Sequence, residues 1–104
     1  LLKFVFSHKG VELAVSEEEK AIYYSNRATC HAQLQNHEAV VADCSSSINI
    51  KPTVKALIRR GLAYESLEKY KLGLEDMRKV LELDPSARVA SETIARLTRA
   101  INSL

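Results

Sequence analysis

Among its 104 residues the sequence has no tryptophan, two phenylalanines, three glycines and two prolines. So few glycines and prolines leave little material for the frequent tight turns of an all-β fold. Alternating runs of Val, Ile and Thr are scarce as well, so extended structure has no pattern to build on. Cysteine is limited to Cys30 and Cys44. That excludes a disulfide-dense scaffold, and neither thiol lies in a CxxC pair. Both are expected to be reduced, buried small apolar groups in a cytoplasmic protein. A net charge of +2 is too small for a surface that tracks phosphates, so nucleic acid is not an expected partner. No apolar run reaches the length of a membrane span. The opening Leu1-Leu2-Lys3-Phe4-Val5-Phe6 soon meets His8, Lys9 and Glu12, and no small-residue cleavage site follows it. It reads as a helix that packs against something.

Repetition is what the sequence does have. At an offset of 33 residues, Ser25-Asn26-Arg27-Ala28 lies over Ile58-Arg59-Arg60-Gly61. The segment from Asp43 to Pro52 likewise lies over that from Asp76 to Pro85. Large, small and proline positions keep register in both copies, the mark of a stacked repeat. Each copy reads as two helices. Ser16 followed by Glu19 is a capping box, with Glu17 and Glu18 at the positive end of the helix that follows. That helix is expected to run to about Gln35, with Tyr24, Ala28 and His31 on one face. A turn at Asn36-His37 leads to a second helix carrying Val40, Val41, Cys44, Ser47 and Ile48, which stops before Pro52. In the next copy Leu57, Gly61, Tyr64 and Leu67 line the first helix. Tyr70, Leu74, Met77, Val80 and Leu81 line the second. Small residues at Ala28 and Gly61 let the paired backbones approach. Asp84-Pro85 is expected to open a last helix as N-cap and first-turn proline. In that helix Ala90, Ile94, Leu97, Ile101 and Leu104 form one apolar stripe, and Arg88, Glu92, Arg96 and Arg99 occupy the water side. Such a helix caps a solenoid.

These observations predict an all-α solenoid in one domain: a partial repeat over 1–15, repeats over 16–52 and 53–85, and a capping helix over 86–104. His8-Lys9-Gly10-Val11-Glu12-Leu13 reads as the second helix of the partial repeat, with Gly10 at its small-residue position. If its first helix is missing, the apolar cluster at Leu1 to Phe6 needs cover, and self-association through this segment is expected.

The run Tyr23-Tyr24-Ser25-Asn26-Arg27-Ala28 resembles the second repeat of tetratricopeptide co-chaperones. Ala56-Leu57-Ile58-Arg59-Arg60-Gly61-Leu62-Ala63-Tyr64-Glu65 resembles their third. The stretch from Ala63 to Tyr70 is similar to the mitochondrial-import group of that family. The resemblance covers roughly residues 16 to 104. It implies a right-handed superhelix of helix pairs and a place in the cytoplasm or at the mitochondrial outer surface.

The first helices of successive pairs are expected to line a groove through Ser25, Asn26, Thr29 and Gln33, then Lys55, Ile58, Arg59, Leu62 and Ser66. Lys55 and Arg59 are four residues apart and share a helical face, where two like charges repel unless an anion lies between them. With the amide of Asn26 they suit a carboxylate held by charge-assisted hydrogen bonds. Ile58 and Leu62 suit an aliphatic side chain. The resemblance implies that Asn26, Lys55 and Arg59 match a carboxylate clamp for chaperone tails ending Glu-Glu-Val-Asp, of the heat-shock protein 70 or 90 class. The clamp's other Lys and Asn, from the first helix of the first repeat, are not found; if the segment is instead a degenerate first helix, with Lys9-Gly10 aligned on it, Ser7 and Val11 fall where they would stand. Removal of Lys55 or Arg59 is expected to leave folding nearly unaffected.

Lysine and arginine four residues apart on a helix are more often simply a solvated face, and spacing alone does not separate the two readings. The alternative function is a structural scaffold that binds another protein, or itself, without tail recognition. An enzyme is not expected. Ser45, Ser46 and Ser47 have no glycine elbow or partnered base. His31, assigned to the core, and His37, assigned to the turn, are not at zinc-ligand spacing with the cysteines, so neither metal nor cofactor is expected.

Overall fold

A computed structural model describes residues 16–104. The expectations placed on residues 1–15 (the partial repeat, Gly10, the apolar cluster and its self-association) lie outside the described residues. Among the described residues there are five helices and no strand: α1 (Glu17–Gln33), α2 (His37–Ile50), α3 (Val54–Ser66), α4 (Tyr70–Leu83) and α5 (Arg88–Asn102). Each packs on the next, giving a helical solenoid of two full pairs followed by α5.

The ends of the helices follow from local chemistry. Ser16 Oγ accepts from the Glu19 N–H at 3.1 Å, and the Glu19 carboxylate accepts from the Ser16 N–H at 2.9 Å. This reciprocal box satisfies two backbone donors that would otherwise lack partners. α1 ends earlier than expected, at Gln33, because Gln35 turns into the left-handed region at φ 58°. Glu68 does the same after α3, at φ 60°. Asn36 then accepts from the Ala39 N–H to open α2, and Thr53 accepts from the Ala56 N–H to open α3. α2 and α4 both end on extended residues, Lys51 and Asp84, each followed by proline, whose ring disfavours the helical conformation in the residue before it.

Asp84 and Pro85 do not open α5. Asp84 terminates α4, and its carboxylate accepts from the Ser86 N–H at 3.1 Å and the Ser86 hydroxyl at 2.7 Å. The side chain folds onto its own turn, so α5 begins three residues beyond the proline, at Arg88, with Ala87 as an N-cap that offers no side-chain bond.

The core has two connected clusters. Ala28, Val40, Cys44 and Ala63 form one, and Leu57, Met77, Val80, Ala90 and Leu97 the other, with Ile48 packed against both. Gly61 is required by close approach. A Cβ there would lie 2.7 Å from the Met77 methyl, and Met77 is wholly buried. Leu104 departs from the expected stripe: it is 91% exposed, past the end of α5. Cys30 is exposed and only Cys44 is buried, because α1 turns its Ala28 side inward.

Each pair is stapled by a buried carboxylate. Arg27 donates from Nε and Nη2 to Asp43 at 2.8 Å each, and Arg60 donates from the same nitrogens to Asp76 at 2.8 and 2.7 Å. Both aspartates are 5% exposed. These side-on hydrogen bonds raise the pKa of both arginines further above its ordinary value. Arg60 also donates to Ser45 Oγ at 3.0 Å and lies over the Tyr64 ring. It therefore ties α3 to both α4 and α2. His31 is half-buried beside Asp43, with Nε2 at 3.6 Å from a carboxylate oxygen, rather than in the apolar core. Arg96 is likewise no free solvent-side group. It makes a paired contact with Glu65, 2.9 Å on each arm, that links α5 to α3.

Candidate functional site

The stripe of α3 that points away from the Asp76 staple carries Lys55, Ile58, Arg59, Leu62 and Ser66. Adjacent helical residues are about 100° apart, so Arg59 and Arg60 leave the helix in different directions. Arg60 is held by Asp76, whereas Arg59 turns toward α1.

Two cavities flank this stripe. The larger, about 680 Å³, is an open apolar groove walled by Val54, Ile58 and Leu62 of α3, Val40 of α2 and Ala32 of α1, with Lys55, Arg59 and Ser66 along it. His37, expected as a turn residue, is instead the first residue of α2 and lines this groove. The smaller, about 320 Å³, brings Asn26, Ser25 and Ile22 of α1 against Lys51, Thr53 and Lys55. Lys55 lines both cavities. It sits in the first turn of α3, exposed, and its ammonium meets no hydrogen-bond or ion-pair partner among the described residues.

Arg59 is more constrained than the spacing suggested. Its Nη1 donates to the Ser25 carbonyl at 3.1 Å and to the Ser25 hydroxyl at 3.2 Å. The guanidinium thus crosses from α3 to α1 at the boundary of the two cavities, and the side chain contributes to the fold as well as to the groove. The structure brings Asn26 and Lys55 together in the smaller cavity and Lys55, Ile58, Arg59 and Leu62 in the larger. It does not bring Thr29 or Gln33 into either. The Thr29 hydroxyl bonds back to the Ser25 carbonyl at 3.1 Å, and Gln33 points to water at the end of α1.

The groove residues that spacing did not reveal include Val54 and Ala63 of α3, Ala32 of α1, and His37 and Val40, which enter because α2 folds back beside α3. Cys44 lies beneath, and burial pushes its thiol up to about 11, away from any nucleophilic role at neutral pH. What the arrangement can do chemically is hold an extended chain: an apolar trough with cationic groups along one wall and an amide at one end.

Comparison with known proteins agrees with this architecture. The tetratricopeptide repeat profile matches residues 54–87, which span α3, α4 and the turn that follows. The mitochondrial import receptor subunit TOM34 of Pongo abelii is 44% identical over 85 residues, covering 81% of this chain. The chain spans 28% of that protein's length. Among solved structures, the Arabidopsis OM64 TPR domain is 38% identical with a TM-score of 0.73, covering 76% of this chain and 66% of that one. The first TPR of Spaghetti (RPAP3), bound to the HSP90 peptide SRMEEVD, is 26% identical with a TM-score of 0.77. That match covers 79% of this chain and 66% of the Spaghetti chain. From its repeat, its stacked helix pairs and these likenesses, the chain belongs to the tetratricopeptide repeat family.

Proposed function

We propose that this protein-interaction module binds the acidic C-terminal tail of a heat-shock protein 70 or 90 class chaperone, and that Asn26, Lys55 and Arg59 take its carboxylates. The observation that carries the reading is Lys55, a cation without an anionic partner among the described residues, shared between the apolar groove and the cavity that holds Asn26. A tail with a terminal carboxylate and upstream apolar side chains has both chemistries in that order. Ile58 and Leu62 offer the apolar contact, and Thr29 and Gln33 are at most peripheral to it. The Spaghetti domain, similar in fold, is bound to an HSP90 peptide with an acidic end, which supports the same ligand class here. The likeness to an import receptor subunit supports a place at the cytosolic face of mitochondria.

The test is calorimetric titration with a peptide ending Glu-Glu-Val-Asp. Lys55→Ala and Arg59→Ala should each weaken binding by about 1.5–3 kcal/mol, the range for hydrogen bonds to charged groups. Binding should weaken with added salt. Equal affinity in wild type and the double variant removes the clamp and leaves the groove to a scaffold that recognises no tail.

A further inference from the structure

We infer that Ser25 is a positioning residue for the site: its hydroxyl pre-orients the Arg59 guanidinium toward an incoming carboxylate. This rests on the clamp reading above. α1 and α3 belong to consecutive pairs, and the Arg59 bond to Ser25 joins them across the floor of the site, where the two cavities meet. A free arginine side chain samples many rotamers, and ordering it on binding costs affinity. Here that ordering is done beforehand by a half-buried serine fixed in the middle of α1.

The geometry also decides whether Ser25 assists or competes. Both bonds to Ser25 leave from Nη1, so the Nε and Nη2 edge remains for the side-on pairing that a carboxylate prefers. A neutral hydroxyl is a weaker acceptor than a carboxylate, so it steers the group without occupying it. The Ser25 carbonyl is shared between Arg59 and the Thr29 hydroxyl, at 3.1 Å each, and no side-chain substitution removes it. The hydroxyl is therefore the part of this anchor that a substitution can remove.

Affinity for a peptide ending Glu-Glu-Val-Asp would be measured for wild type, Ser25→Ala, Ser25→Thr, Arg59→Ala and the Ser25→Ala/Arg59→Ala pair, with a thermal melt of each. Ser25→Ala should weaken binding about three- to tenfold with a melt close to wild type, in line with the ordering of one long side chain. Ser25→Thr, which restores the hydroxyl, should restore affinity. In the Arg59→Ala background, Ser25→Ala should have no further effect. An equal loss in both backgrounds would mean that the hydroxyl touches the peptide itself, and would overturn the inference. So would unchanged or tighter binding by Ser25→Ala while wild type binds normally. A wild type that does not bind the peptide, or an Arg59→Ala that binds as well as wild type, overturns the clamp reading and this inference with it.

Discussion

Replacing Arg60 with alanine would strip the Asp76 carboxylate, 5% exposed in the native fold, of two charge-assisted bonds of 2.8 and 2.7 Å. It would also remove the bond to Ser45 and the cation held over Tyr64. Removing one partner of a buried ion pair costs about 3–5 kcal/mol, because the remaining charge is left without solvent or counter-charge. The Arg60 side chain is 20% exposed, so some water reaches the gap and the lower end, about 3 kcal/mol, is the better figure. Arg27 provides an internal control with the same geometry. Its side chain is 42% exposed, and the Asp43 it would abandon has His31 Nε2 at 3.6 Å as a second partner. Solvent screening brings the expected cost of Arg27→Ala down to about 1–2 kcal/mol.

Thermal and urea denaturation of the two variants would read the difference. For a domain of this size each kcal/mol moves the midpoint by about 4–8 °C, so the two melts should be clearly separated. Because the Arg60 pKa is raised in the fold, its contribution is fully present at neutral pH and is lost only in strongly alkaline solution. The penalty should therefore persist across the neutral range. Arg60→Lys should fall between wild type and alanine, since an ammonium keeps the charge but not the two-armed fit. An Arg60→Met/Asp76→Leu pair should recover much of the loss. Arg60→Ala within 1 kcal/mol of wild type, or no worse than Arg27→Ala, would refute the reasoning.

Leu97→Ala removes a fully buried side chain from the second cluster and should cost about 2–5 kcal/mol in chemical denaturation. Arg96→Ala breaks the half-exposed pair with Glu65 and should cost about 0.2–1 kcal/mol; equal midpoints for these two variants would place the buried face of α5 wrongly. Gly61→Ala should cost about 1–3 kcal/mol, because its new methyl meets the confined Met77 side chain, and a neutral or stabilised variant would show that Met77 can move aside. A thiol reagent at neutral pH should modify Cys30 quickly and Cys44 only as fast as the fold opens. With the Cys44 thiol raised to about 11 in the fold, the contribution it makes below its ordinary value of 9.0 is lost as pH rises through 11; stability should fall over that window, less so in Cys44→Ala.

Much of the fold was legible because its determinants are local or periodic. The capping box at Ser16 and the proline stops each act within one or two turns of their own position, and the small residue at Gly61, which meets Met77 of α4, stood out through the repeat. The 33-residue offset carried the rest, although Arg27 and Asp43 recur at Arg60 and Asp76 and were not paired from sequence. Their partnership joins the two helices of each pair and shows in the sequence only as a double recurrence. Asp84 was misassigned because Asp-Pro suits a helix start, while the side chain found a nearer donor in Ser86. The stripe through Lys55, Ile58, Arg59 and Leu62 was legible for the same reason as the fold, being a spacing within one helix. The Arg59 bond to Ser25 and the entry of His37 into the groove were not, since both depend on how far apart two non-adjacent segments settle.

The adjacency of Arg59 and Arg60 shows how the site can vary without disturbing the core. In each pair one position faces the carboxylate staple and its predecessor faces elsewhere: Arg60 after Arg59 in α3, and Arg27 after Asn26 in α1. The staple residues are the same in both copies because the same buried aspartate must be answered. The preceding residues differ, a cation that reaches Ser25 in one repeat and a neutral amide in the other, because neither has to answer a buried carboxylate. Positive charge in the site comes from Lys55 and Arg59 of α3, with Lys51 at the end of α2, while α1 contributes acceptors and an amide. An anionic ligand group should lie closer to α3 than to α1. The approach of the two helices through Ser25 then keeps that group within reach of Asn26.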